Sequence, residues 1–157
     1  MLSKIISGGQ TGADRAALDF AIERGIPHGG WCPRGRLAED GPISENYALN
    51  ETPSSDSSQR TEWNVRDSDA TVIFSVSGDL QGGSKLTIEF AVQSKKPYLH
   101  ISRERDGKNA FTKLSAFLAQ HPIQILNIAG SRASEEPEIV AFVREVLRSC
   151  FPSENGT

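Results

Sequence analysis

Lys4-Ile5-Ile6-Ser7-Gly8-Gly9-Gln10-Thr11-Gly12-Ala13-Asp14-Arg15-Ala16-Ala17-Leu18-Asp19 opens on an apolar, β-branched run, breaks in glycine, and resumes with apolar residues at helical spacing. Residues 2–7 read as a strand. Ala17, Leu18, Ala21 and Ile22 fall on one face of a helix over 13–24, and Gly25 is a natural stop after it. A strand that turns through glycine into a helix is the first half of a βαβ unit. If the unit repeats, it fixes a parallel sheet.

It does repeat. A short strand is expected over 28–32, then a stretch over 33–58 without period, rich in Pro, Ser, Asp and Glu. A loop of that length in a compact domain usually carries function or motion. Helices are expected over 59–66, 84–94, 110–119 and 135–147, and strands over 70–76, 98–101 and 123–129. Ala70-Thr71-Val72-Ile73-Phe74-Ser75-Val76 shows little alternation, as a strand buried on both faces should. The fold class is therefore α/β: an open parallel sheet of about five strands with helices on both faces, built by right-handed crossovers. The expected strand order is 2-1-3-4-5, which puts the reversal point, where ligands sit, between the first and third strands.

The 157 residues suit one domain, read as residues 1–151 with a frayed tail over 152–157. Seventeen Lys and Arg against twenty Asp and Glu leave a net charge of −3, which argues against a bulk electrostatic grip on nucleic acid. No apolar run approaches the ~20 residues that cross a bilayer. The N-terminal residues are too short and too soon rich in glycine for a signal peptide. The spacing of Cys32 and Cys150 makes neither a metal nor a redox motif, and His28, His100 and His121 lie far apart. These features point to a cytoplasmic protein with free thiols and no sequence-local metal site.

Three strands end in glycine turns that lead into helices: Gly8-Gly9-Gln10-Thr11-Gly12, Gly82-Gly83-Ser84 and Gly130-Ser131-Arg132. Each could simply make a tight turn. Each could also bring backbone amides and a helix N-terminus against an anion. The expected order sets the first two turns beside the reversal point, which favours anion binding there. Gly12 is followed by Ala13 rather than Lys-Ser/Thr, so no Walker A loop is present. Ser7 and the absence of an acid after Trp31-Cys32 disfavour a dinucleotide fingerprint. Thr11 and Asp14 have the spacing of a capping box, a structural reading of Asp14 that stands beside a catalytic one. Trp31 could stack on a flat heterocycle, with Arg34 and Arg36 neutralising phosphate, or sit in the core. Cys32 reads as a small buried side chain and His28 as structural. Arg60 and Trp63 share a helix face, and Glu62 and Arg66 form an i, i+4 pair. Glu89, early in its helix, either complements the helix dipole or acts as a general base.

The joined motifs resemble the signatures of the family known as putative molybdenum carrier proteins. They are residues 6–19, Gly25-Ile26-Pro27-His28-Gly29-Gly30-Trp31-Cys32-Pro33, Ala38-Glu39-Asp40-Gly41-Pro42-Ile43, Gln59-Arg60-Thr61-Glu62-Trp63-Asn64-Val65 and Leu126-Asn127-Ile128-Ala129-Gly130. The resemblance runs from Ile5 to about Leu147. It implies a Rossmann-like domain, usually a homo-oligomer, whose ligand is a small phosphorylated molecule: molybdenum cofactor (molybdopterin), or else a nucleotide. The wider superfamily includes nucleoside-monophosphate phosphoribohydrolases. Their Arg and Ser-Asp-Ala strand are matched by Arg60 and Ser68-Asp69-Ala70. Their Pro-Gly-Gly-x-Gly-Thr-x-x-Glu loop is matched imperfectly: Gln81 replaces the proline, and Glu89 follows Thr87 by two residues, with Phe90 at the third.

Three functions are therefore expected in competition. In a binding or carrier protein, Gly8, Gly9, Gln10, Thr11, Gly12, Gly82, Gly83, Ser84, Thr87 and Gly130 would hold the ligand, with Arg60 and either Arg34 or Arg36 adding charge and Trp31 or Trp63 packing a flat ring. An enzyme splitting the base–ribose bond would use Glu89 and Arg60 as catalytic residues. A nucleotide-sensing module would act through a partner.

Overall fold

The computed structural model describes residues 2–153. The expected tail over 152–157 therefore lies largely outside the described residues. The main sheet contains β1 (Lys4–Ile6), β2 (His28–Gly29), β7 (Ala70–Ser75), β8 (Tyr98–Ser102) and β9 (Ile125–Gly130). All its pairings are parallel. Short strands occupy the stretch that the periodicity left blank: β3 (Trp31–Cys32) pairs with β6 (Asn50–Glu51), and β4 (Leu37–Ala38) with β5 (Gly41–Pro42). The helices are α1 (Ala13–Arg24), α2 (Ser57–Arg66), α3 (Gly82–Gln93), α4 (Arg103–Asp106), α5 (Ala110–Gln120) and α6 (Ile139–Cys150). α6 starts four residues later than its periodicity suggests, because residues 131–138 run as loop and turn.

The order across the main sheet is β2-β1-β9-β7-β8, not the expected 2-1-3-4-5. The last strand is inserted between the first and third. Burial explains the placement. All six residues of β7 are buried, and Leu126, Asn127 and Ile128 in β9 are buried, whereas Tyr98 at the start of β8 is exposed. A strand flanked on both sides needs this apolar character, and a terminal strand does not. Counting β9 first turns the order into 3-2-1-4-5, the doubly wound arrangement. The chain is thus a doubly wound sheet whose first strand and helix come last in sequence.

Right-handed crossovers put α1, α5 and α6 on one face, where α1 packs on α6 and α6 on α5. α2 and α3 pack together on the other face. The main core joins Ala13, Ala17, Phe20 and Ala21 of α1 to Phe142, Val143 and Leu147 of α6 across β7 and β9. Leu18 turns instead to a second cluster with Cys32, Ile43 and Leu49. That cluster seats the 33–52 stretch on α1. The reversal point therefore lies between the carboxyl ends of β9 and β7, one strand away from where the sequence reading put it.

Candidate functional site

A cleft of about 140 Å³ opens at this reversal point. Its walls come from Gln10 and Asp14 after β1, Arg60 and Thr61 on α2, Gly83, Ser84 and Thr87 on α3, and Ala129, Gly130, Arg132 and Glu135 after β9.

Arg60 forms the cationic wall. Its Nη1 donates to Asp14 Oδ2 at 3.0 Å, and the two side chains are 16% and 5% exposed. Gly8 makes this pairing possible, since a Cβ there would overlap the Arg60 guanidinium. Burial pushes the Asp14 carboxyl up, against the opposing pull of Arg60 and the Gln10 amide. Among the described residues, Arg60 Nε is buried without a protein partner. Beside it lies a void of about 20 Å³ bounded by Asp14, Asn64, Thr87 and Asn127, enough for one water.

Several contacts hold α2 in place so that Arg60 stands over the cleft. Asp56 caps the helix by accepting from Ser58 N. Asn64 makes two bonds with the Trp31 backbone, accepting from its N–H at 2.8 Å and donating to its carbonyl at 3.0 Å. Trp31 Nε1 donates to Asp67 at 2.7 Å, and its ring meets Trp63 edge-on at 4.8 Å. Lys96 Nζ gathers the carbonyls of Val65, Arg66 and Ser68 at the helix end.

Opposite Arg60, α3 begins without a side-chain cap and without an acid in its first turn. Gly82 has φ +55°, and a Cβ on Gly82 or Gly83 would meet open space. Among the described residues no acceptor meets the Gly83 or Ser84 amides. A free helix start carries about half a positive charge and several unpaired N–H donors. The loop before α3 is tied to the loop after β9 by Glu136, whose carboxylate accepts from Val76 N and Ser77 N at 2.8 Å each and from the Ser131 hydroxyl. Burial opposes ionisation of Glu136, but these three donors outweigh it and hold its carboxyl below the usual range.

The residues singled out from sequence divide into three groups. Arg60, Gln10, Gly83, Ser84, Thr87 and Gly130 line the cleft, and Gly8 borders the small void. Gly9, Gly12 and Gly130 act as packing glycines. Gly9, at φ +80°, backs onto Leu49 and Ile43. A Cβ on Gly12 would overlap the Ser131 carbonyl, and one on Gly130 the Phe74 carbonyl. Packing thus requires glycine at 12, while Gly130 both packs and lines the cleft. Gly82 sets the start of α3 just outside the lining.

Trp31, Arg34, Glu89 and Thr11 do not line the cleft. Trp31 braces α2. Arg34 is exposed, and so is Glu89, which stands two residues past Thr87 on another side of α3. Arg36 spends its guanidinium on the carbonyls of Ile43, Ser44, Tyr47 and Leu49, closing that loop. The capping box does not form: Gly12 is the N-cap without a side-chain bond, Asp14 turns to Arg60, and the Thr11 hydroxyl donates to Glu39. Arg66 pairs with Asp67 rather than Glu62 and lies 4.5 Å over the Trp63 ring.

Sequence reading missed Asp14 as a cleft residue, together with Glu135 and Arg132. The glycine turn at 130–132 was a usable signal, obscured by the expected strand order.

The family model described as "Circularly permutated YpsA SLOG family" matches residues 5–151. A solved structure of a protein from Syntrophus aciditrophicus SB, described as "Putative molybdenum carrier protein", is 55% identical. The alignment covers 96% of this chain and 95% of that one, with a TM-score of 0.93. No curated protein matches. The match bears out the resemblance carried by the motifs, and a permuted order is what the sheet itself displays.

Proposed function

Because the chain belongs to the circularly permutated YpsA SLOG family, we propose that it binds a small phosphorylated ligand in the cleft between the carboxyl ends of β9 and β7. One observation carries this reading: the uncapped start of α3 faces Arg60, whose Nε is buried without a protein partner among the described residues. A phosphate placed there would meet free amides and the helix dipole on one side and a guanidinium on the other. The 55% identical relative is described as a molybdenum carrier, which supports molybdenum cofactor, a pterin with a phosphate, as the ligand. A nucleotide has the same phosphate and a comparable flat ring.

Binding fits this cleft better than hydrolysis. Glu89 is exposed and does not line it, and Asp14 is already paired with Arg60. The same reading has the protein act in the cytoplasm as a homo-oligomer, without nucleic acid or membrane. Among the described residues no helix is long and apolar enough to cross a bilayer.

The test is a thermal-shift panel with inorganic phosphate, molybdopterin and nucleoside monophosphates. A ligand at about 100 times its Kd adds about 2.7 kcal/mol. For a chain of this size that raises Tm by roughly 5–10 °C. Gly83→Asp should abolish the shift while keeping the fold, because its side chain enters open space and an acid suits a helix start. No shift with any compound would refute the proposal.

A further inference from the structure

The loop between β7 and α3 sets where α3 starts, and with it the amides that face Arg60. The polar backbone groups of Val76 and Ser77 in this loop are all engaged. Val76 N and Ser77 N donate to Glu136 at 2.8 Å each. The Val76 carbonyl accepts from Ser102 Oγ at 3.1 Å and from Glu104 N at 2.9 Å. The Ser77 carbonyl accepts at 2.6 Å from the hydroxyl of Ser75, a buried residue at the end of β7.

That last bond fixes where a second proton sits. Parallel pairing sets His100 of β8 opposite Ile73, so Ser75 stands diagonal to it on the same face of the sheet. Ser75 Oγ lies 2.7 Å from His100 Nε2. The hydroxyl has given its one proton to Ser77 and can only accept here. Nε2 therefore carries the hydrogen, and Nδ1 carries the lone pair. Nδ1 lies 3.5 Å from Arg105 Nη1, and Arg105 Nη2 donates to the His100 carbonyl at 2.8 Å. The charged groups around the ring are Arg105 and Asp106 of α4, Lys113 of α5 and Glu136. Burial first, then Arg105 and Lys113, hold the imidazole below its ordinary value, against the opposing pull of Asp106 and Glu136.

A proton taken from solvent at Nδ1 turns the lone pair into an N–H⁺ aimed at the Arg105 guanidinium. Arg105 must then leave. Its bonds to the His100 carbonyl and to Asp106 go with it, and the Asp106 carboxylate is what holds Ser102 N. Ser102 and Glu104 in turn pin the Val76 carbonyl. Protonation thus reaches the loop before α3 from outside the cleft, which His100 does not line.

We propose that His100 is a proton-sensitive brace of the phosphate site: neutral, it holds the loop before α3 in the binding arrangement, and protonated, it releases that loop and weakens the hold on phosphate. This rests on the phosphate reading above.

Two measurements on the intact chain with inorganic phosphate test it. The first is calorimetric affinity at neutral pH and at about pH 5, for wild type and for His100→Gln, which keeps an N–H donor toward Ser75 but cannot take a proton. Acidification should weaken wild type roughly tenfold more than the variant, within the usual range of coupling between sites. The ionisation of phosphate and of Asp14 cancels between the two proteins. The second is NMR titration of the imidazole of wild-type His100, with His28 and His121 as references, which stands even if the variant fails to fold. Coupling is reciprocal, so phosphate should lower the His100 midpoint by about one pH unit. A bound anion acting through its charge alone would raise it. Equal pH dependence of the two proteins, or a midpoint that stays or rises, would overturn the brace and leave the phosphate site standing. If phosphate binds at neither pH, both readings fall together.

Discussion

Replacing Asp14 or Arg60 with alanine should have unequal consequences that pH can separate. The pair is 3.0 Å long and nearly enclosed, with side chains 5% and 16% exposed. Breaking a buried ion pair from one side strands the other charge and costs about 3 kcal/mol or more. At this chain length that lowers Tm by roughly 6–12 °C. Asp14→Ala strands a guanidinium, which cannot lose its proton, so the loss persists on mild acidification. Arg60→Ala strands a carboxyl that burial already pushes above its ordinary value. Removing Arg60 removes one of the influences lowering it, so the folded state holds the proton more tightly still. Between the unfolded value near 3.8 and the raised folded value, the folded chain binds more protons than the unfolded chain. Stability therefore falls as pH rises through that window and returns as pH falls. Urea denaturation at neutral and mildly acidic pH is the assay, with the double alanine variant closing a cycle. The double variant should lose about 2 kcal/mol less than the two single losses combined. Additive losses, or acid recovery of Asp14→Ala but not Arg60→Ala, would refute the reasoning.

Gly12→Ala and Gly130→Ala should each cost about 2 kcal/mol or more in denaturant, since each new Cβ would overlap a backbone carbonyl at positive φ, whereas Gly83→Ala should be neutral or stabilising. Glu136→Gln should cost about 1–3 kcal/mol at neutral pH. Because the Glu136 carboxyl is held below its usual value, wild-type stability should decline as pH falls through the carboxylate range, and the variant should lack that part of the decline, as titrated unfolding curves would show. Trp31→Phe removes the bond to Asp67 and should cost about 1 kcal/mol while leaving ligand affinity within about twofold by calorimetry, since Trp31 braces α2 and does not line the cleft.

Local periodicity carried the elements well. α1 matches its expected bounds, and β7, β8 and α5 fall within a residue or two of theirs. These segments have strong apolar patterns closed by Gly or polar breaks. Strand order is different in kind, because right-handed crossovers of similar length permit several orders and no residue encodes the neighbour of its strand. One clue was present: Ile125-Leu126-Asn127-Ile128-Ala129 is more apolar than Tyr98-Leu99-His100-Ile101, which fits a central strand better than a terminal one. The error in order moved the expected reversal point by one strand and hid Arg132 and Glu135. Arg60 was legible through motif resemblance. Its partner Asp14 was not, because a carboxylate three residues after Thr11 fits a capping box equally well, and only the long-range approach of α2 over Gly8 distinguishes the two. Trp31 and Arg36 look like ligand residues in one dimension. In three, their polar atoms are taken by Asp67 and by loop carbonyls.

Native mass spectrometry of the wild-type chain and Gly83→Asp, both purified from the host organism, tests the central claim most directly. Wild type should carry an adduct whose fragmentation releases phosphate, and Gly83→Asp, folded to the same Tm or above, should emerge bare. A bare wild-type chain, or an adduct equally abundant on both proteins, would contradict a phosphate held at the start of α3.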